Sequence, residues 1–192
     1  WPESIRAVGE MKSNMLFNFF TKQELRCYRK AKKIVVVTDT FKSVLVKRGI
    51  DPEKIHVVKN GVDLSAYSPA AKEQSLLDEL GLSGKTVIGY IGTHGMAHKL
   101  DFILDCANLV KDDDSLQFLF IGTGAEKKNL LNKKLEMQLN NVTMLDPVSK
   151  ELVKQYISII DIALINLNNS ELFRTVIPSK IFENAAMEKP IL

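Results

Sequence analysis

The chain has 192 residues, 45% hydrophobic and 26% charged, with ten glycines and six prolines, a balance that excludes a disordered or collagen-like polymer. No run approaches ~18 consecutive apolar residues, so no transmembrane helix is expected. The net charge of +3 is uneven: residues 1–33 hold eight basic and three acidic side chains, and the remainder is slightly acidic. A polynucleotide binder spreads positive charge over its binding face, so nucleic acid is not an expected partner. A basic end fits an anionic surface, and a membrane leaflet is one candidate. Cys27 and Cys106 form no C-x-x-C, which argues against a disulfide framework or zinc site and makes a reducing compartment the default. The length suits one domain or one and a part. Trp1 opens the chain, and Lys189-Pro190-Ile191 before Leu192 reads as the beginning of a strand, so a piece of a longer protein is expected.

In chain order, Ile5 to Lys33 holds no proline and one glycine, with Met11, Met15, Leu16, Phe19 and Phe20 on a helical face. It reads as one or two amphipathic helices. Ile34–Val37 reads as a buried parallel strand. Thr38 and Asp39 can cap a helix that ends at Gly49. Ile55–Val58 is the next strand, and Asn60-Gly61 is a turn signal. Residues 62–85, with Pro69, Gly81, Gly84 and a helical stretch near Leu76–Leu80, read as a linker. Then come strand Val87–Ile91, a helix on Leu100, Ile103, Leu104, Ala107 and Val110, and strand Leu116–Ile121. A helix on Leu130, Leu131, Leu135 and Leu139 follows, then strand Val142–Leu145, a helix near Ser149–Ile157, strand Ile160–Ile165 and a helix from about Ser179 to Met187. The alternation predicts an α/β fold with right-handed βαβ units and a parallel sheet.

Ligands of such sheets bind beyond the carboxyl ends of the strands. Two glycine-bearing loops fall there, Gly92-Thr93-His94-Gly95 and Gly122-Thr123-Gly124. Glycine lets backbone approach a phosphate, and a following helix supplies N–H groups. Neither is a P-loop, and each reads equally as a tight βα turn. His94 and His98 lack the glutamate of H-E-x-x-H, so a metal is not expected. They read either as histidines near a diphosphate, with Lys99 adding charge, or as solvated or capping residues. Ser179 suits a helix N-cap. The capping-box position holds Phe182, which leaves Glu183 free to accept from ribose hydroxyls or to sit in solvent near a helix start.

Taken together these motifs resemble the group-1 retaining glycosyltransferases, whose GT-B architecture has two Rossmann-like domains and a cleft. Trp1-Pro2-Glu3-Ser4, Ile34–Thr38 and Val58-Lys59-Asn60-Gly61-Val62-Asp63 are similar to the end of the acceptor-side domain and the crossing to the donor side. Tyr90–His98 is similar to the diphosphate loop of bacterial surface-polysaccharide members, and Phe120–Gly124 to the second loop. Pro178-Ser179-Lys180-Ile181-Phe182-Glu183 with Lys189–Leu192 is similar to the donor motif. The resemblance implies residues 1–66 as the remnant of the acceptor-side domain and 67–192 as an incomplete donor-binding domain. It implies donor-nucleotide contacts from Glu183, Gly92, Thr93, His94, Gly95, Gly122, Gly124, Lys180 and Ser179, with diphosphate contacts from His98 and Lys99. Of the family's paired glutamates, Glu183 matches the second, and Thr175 stands at the first. The family's basic residue after the loop glycine is replaced by Thr93 and His94, with Lys99 or Lys180 as substitutes. The implied reaction moves a sugar from a nucleotide diphosphate sugar, a UDP-sugar, to a glycan or lipid-linked acceptor, with retention and no cofactor or metal. It is expected in the cytoplasm, at the inner membrane face. The alternatives are a sugar-nucleotide epimerase of the same architecture and a non-catalytic nucleotide-sugar-binding module.

Overall fold

A computed structural model describes residues 2–173 and 176–192 as two compact units, Trp1–Gly61 with Asn169–Ile177, and Val62–Asn168 with Pro178–Leu192. The first unit contains α1 (Pro2–Ala7), α2 (Asn14–Lys30), β1 (Ile34–Val36), α3 (Asp39–Lys47) and β2 (Ile55–Val57). The amphipathic segment is thus two helices. Gly9 breaks it at φ +85°, and the Ser13 hydroxyl restarts it by accepting from Leu16 N–H. Strands β1 and β2 pair in parallel, Ile34 opposite Ile55, with α3 as the crossover.

Ile34, Val36, Leu45, Ile50 and Ile55 form the core of this unit, covered by Leu25, Tyr28 and Phe41 from the helices. Among the described residues, helices pack on one face of this sheet. The expected run of buried residues is therefore an alternation, and Val35 is 65% exposed. The Thr38 hydroxyl accepts from Phe41 N–H at 3.1 Å and caps α3, as its sequence suggested. Gly49 ends that helix at φ +80°. Arg48 pairs with Glu24 at 2.7 Å and Glu3 at 3.3 Å, joining the three helices. Asn60-Gly61 makes no turn. The chain turns just beyond, where the Asp63 carboxylate accepts from Ser65 and its carbonyl from Tyr67 N–H.

The second unit holds α4 (Gln74–Glu79), β3 (Thr86–Ile91), α5 (Leu100–Leu109), β4 (Leu116–Ile121), α6 (Lys127–Glu136), β5 (Val142–Leu145), α7 (Lys150–Ser158), β6 (Ile162–Ala163) and α8 (Lys180–Ala186). Its four strands are parallel in the order β5-β4-β3-β6, and Ile191 bridges Ala163. The strand-like end of the chain thus joins the β6 edge. The segment read as a linker is more than a connector, because Leu76, Leu77 and Leu82 are buried in this unit's core. Strand β6 is shorter than expected. At its start the Asp161 carboxylate, not a strand carbonyl, takes Val87 N–H at 2.9 Å.

Helices cover both sheet faces, so β4 is buried almost throughout, as an inner parallel strand should be. Tyr90, Leu104, Phe118, Phe120 and Leu130 fill one face, and Val87, Leu119, Ile121, Ile159 and Ile160 the other. The expected leucine stripe of α6 is only partly used. The helix ends at Glu136, and Gln138 at φ +53° turns the chain so that Leu139 enters the core while Leu135 is left 71% exposed.

Candidate functional site

Strand β3 is a run of mostly β-branched and aromatic residues that ends in Gly92, and β4 runs beside it in register to Gly122. Their loops start at the same level and lock together through backbone. Gly92 N–H donates to Ile121 O at 2.9 Å, His94 N–H to Thr123 O at 2.8 Å, and Glu126 N–H to His94 O at 2.9 Å. Each glycine of the second loop faces the first loop. A Cβ on Gly122 would strike the Gly92 carbonyl, and one on Gly124 the His94 backbone. The missing side chains let two loops touch, which the sequence had suggested only for a loop touching phosphate.

Beyond the carboxyl ends of β3, β4 and β5 lies a cleft of about 250 Å³. Ile91–Thr93 and Ile121–Thr123 line one part, and Pro147, Val148 and Val153 close the other. Its walls are largely apolar, with loop backbone at the rim. Sequence reading missed the last three residues, because nothing in periodicity tells a cleft wall from a core position.

Basic side chains gather around the loops. The His94 ring has no exposed surface and lies beside Tyr90 and Phe120, with neither ring nitrogen hydrogen-bonded among the described residues. Burial, then the charges of Lys127 and Lys180, hold its pKa down to about 4, so it is neutral at pH 7. His98 is half-buried, 5.7 Å from the Tyr90 ring, with Nδ1 at 3.4 Å from Asn166 O. Burial and Lys180 depress it as well. Lys99 is exposed and left-handed (φ +46°) at the start of α5.

Lys127 was not singled out from the sequence. Its Nζ donates to Gly122 O at 3.0 Å and Leu145 O at 2.5 Å, joining the ends of β4 and β5, with Asp146 3.9 Å away. A lysine in the first turn of a helix carries no pattern that would have marked it.

Helix α8 brings the donor-motif residues. Ser179 stands at the N-cap position, is exposed, and makes no side-chain cap bond because its backbone is already helical. Lys180 turns inward. Its Nζ lies 3.8 Å from the Tyr90 ring centroid, buried, with no hydrogen-bond partner among the described residues. Burial brings its pKa down to about 8, the Glu183 charge working against that shift. Glu183 is half-buried on the same helix, and its charge reaches the Tyr67 phenol, which burial and Glu183 together raise. Gly95 has only ordinary neighbours. Thr93 is exposed at the rim of the cleft. Thr175, at the position of the family's first glutamate, lies outside the described residues. No group of three or more potential metal ligands occurs among the described residues.

Strand order and loop placement define a Rossmann-like parallel α/β unit. Two family models match the chain in sequence: Glycosyltransferase Family 4 over residues 8–66, and Glycosyl transferases group 1 over residues 85–192. The second spans more than half of the chain, which therefore belongs to the group-1 glycosyltransferases. TuaH of Bacillus subtilis (strain 168), named as a teichuronic acid biosynthesis glycosyltransferase, is 33% identical over 189 residues, 94% of this chain and 46% of TuaH. Among solved structures, Anabaena HepE in complex with UDP superposes with a TM-score of 0.72 at 18% identity, covering 91% of this chain and 49% of HepE. WaaG, a glycosyltransferase involved in lipopolysaccharide biosynthesis, superposes with a TM-score of 0.77 at 11% identity, covering 100% and 53%. These likenesses carry the GT-B fold class expected from the sequence. The chain spans about half the length of these relatives.

Proposed function

We propose that the full-length protein transfers a sugar from a UDP-sugar to a glycan or lipid-linked acceptor in surface-polysaccharide synthesis, with retained anomeric configuration. In this reading residues 67–192 bind the donor and residues 1–66 end the acceptor-side domain. The observation that carries it is the apolar cleft beyond β3–β5, rimmed by the backbone of the two glycine loops, with the Lys180 amine close against Gly92 of the first loop. A nucleotide has the matching halves, a flat base for the slot and phosphates for the loop backbone. The UDP complex of HepE and the name of TuaH support the same donor and pathway class.

The test incubates the full-length protein with labelled UDP-sugars and lipid-linked acceptors. Acceptor-dependent transfer is expected. An epimerised nucleotide sugar formed without acceptor would favour the epimerase, and binding without turnover a non-catalytic module. Glu183, near the start of α8, is assigned to the donor ribose. Losing a charged hydrogen bond costs roughly 1.5–3 kcal/mol, so Glu183→Ala should weaken UDP binding at least tenfold by calorimetry. Equal affinities would remove Glu183 from the site.

We also place the enzyme at an anionic inner leaflet. On α2, Met15 (78% exposed) and Phe19 (52% exposed) share a helix with exposed Lys22 and Arg26, and exposed Lys12 lies just before it. No helix among the described residues is long and apolar enough to cross a membrane. Each basic residue near such a surface contributes ~1 kcal/mol. Neutralising Lys12, Lys22 and Arg26 in the full-length protein should lower co-flotation with anionic liposomes more than tenfold. Unchanged flotation would show that these residues serve packing instead.

A further inference from the structure

We propose that Lys127 is a positioning residue that fixes the gap of the apolar cleft around the donor's base without touching the donor itself. The inference rests on the donor-site reading above.

The cleft has two walls, which come from different strands. One consists of Ile91–Thr93 and Ile121–Thr123, at the ends of β3 and β4, and the other of Pro147, Val148 and Val153, beyond β5. Strands β4 and β5 pair as far as Ile121 opposite Leu145. One further backbone bond, from Gly122 N–H to Leu145 O at 3.2 Å, continues the ladder. Beyond it no backbone bond joins the two segments among the described residues, and the cleft opens. The Lys127 amine stands at that fork. It donates to Gly122 O at 3.0 Å and to Leu145 O at 2.5 Å. Gly122 belongs to the first wall, and Leu145 lies two residues before Pro147 of the second.

The same helical turn holds the third segment. Glu126 N–H donates to His94 O at 2.9 Å, so the start of α6 ties the loops after β3 and β4 to the end of β5. Local preference does not explain a lysine here, because a cation in a first turn meets the positive end of the helix dipole. The side chain is nonetheless drawn in and only 14% exposed, while the Asp146 carboxylate 3.9 Å away is 94% exposed and a weak partner. The two carbonyls at the cleft walls are what hold the amine.

Contact between a flat ring and two walls depends steeply on the gap. Opening a van der Waals contact by ~0.5–1 Å forfeits a quarter to a half of it. A tie of two hydrogen bonds at the fork therefore sets how firmly a base is gripped. Lys127 is not among the residues that line the cleft, and two of its three donors are given to carbonyls. Its effect on the donor passes through the walls.

The test measures the affinity of the full-length protein for uridine and UDP by calorimetry in wild type, Lys127→Met and Lys127→Arg, with KM for the UDP-sugar and kcat alongside. Lys127→Met should weaken uridine and UDP by the same factor, fivefold or more, because both present the same base. KM should rise by that factor, and kcat at saturating donor should stay within twofold, since the base is held alike before and during transfer. Lys127→Arg keeps several N–H donors for the carbonyls and should recover most of the loss. If Lys127→Met does not fold, Lys127→Gln, a shorter side chain that keeps N–H donors, should show the same equal loss. A lower melting temperature with unchanged affinities would make Lys127 merely structural and overturn the inference. A loss for UDP that spares uridine would put the amine on a phosphate and overturn it as well. Either result leaves the donor site standing, whereas a wild type that binds neither uridine nor UDP overturns both.

Discussion

Replacing Gly122 or Gly124 by alanine should destabilise the second unit by more than about 3 kcal/mol, the upper range for forcing atoms into a packed site. A Cβ on Gly122 would lie 2.9 Å from the Gly92 carbonyl carbon and closer still to its oxygen, in a backbone conformation (φ +143°) that disfavours any side chain. A Cβ on Gly124 would lie 2.6 Å from the His94 carbonyl carbon. These neighbours are backbone atoms fixed by β3 and by the loop hydrogen bonds, so they cannot swing aside. Gly95 is the internal control. Its added Cβ would meet Thr93 Cγ2 at 3.6 Å and His98 Cδ2 at 3.9 Å, ordinary contacts, so Gly95→Ala should change stability by less than ~0.5 kcal/mol. Urea unfolding of the three variants checks this. Similar midpoints for all three would mean that the two loops are not packed as described.

Mild acid should weaken the protein through His94. In the folded chain its pKa is about 4, against 6.5 for the free side chain. Above pH 6.5 both folded and unfolded states keep the ring neutral, and the stability is fully present. As pH falls from 6.5 to 4, the unfolded chain takes up the proton first, so stability is lost over that window. One pKa unit corresponds to ~1.4 kcal/mol, which makes the full loss about 3 kcal/mol. His94→Gln removes this titration while keeping a polar side chain. Its stability should therefore depend less on pH between 6.5 and 4 than that of wild type. Parallel curves would show that the ring is not held neutral by burial.

Much of the second unit was legible because its strands carry their own signal. Leu116–Ile121 and Val142–Leu145 are strands over the residues that their apolar runs mark, and Leu100, Ile103, Leu104 and Ala107 form the buried face of α5. Reading failed where position depends on a neighbour distant in sequence. Ile34–Val37 has the composition of a strand buried twice over, yet Val35 is left exposed, with no helix over it among the described residues. Asn60-Gly61 has turn chemistry, but Asp63 supplies the carboxylate that makes the turn.

The site shows the same division. Its two loops were visible as glycines after strands, because backbone that packs closely needs glycine wherever it occurs. Their purpose was not visible, since approach to a phosphate and approach to another loop ask for the same residue. Lys180 and Lys99 were equal substitutes in the sequence. They differ in the fold, because α8 points one inward over Tyr90 and the left-handed start of α5 leaves the other in solvent.

The direct test of the donor site is a melting curve of the full-length protein with and without UDP. A ligand that binds only the folded state adds ~2.7 kcal/mol of stability at 100 times its Kd. UDP and UDP-sugars should therefore raise the melting temperature by several degrees in a saturable way, and uridine should raise it less at the same concentration. A melting temperature unmoved by millimolar UDP and by every UDP-sugar would contradict the account.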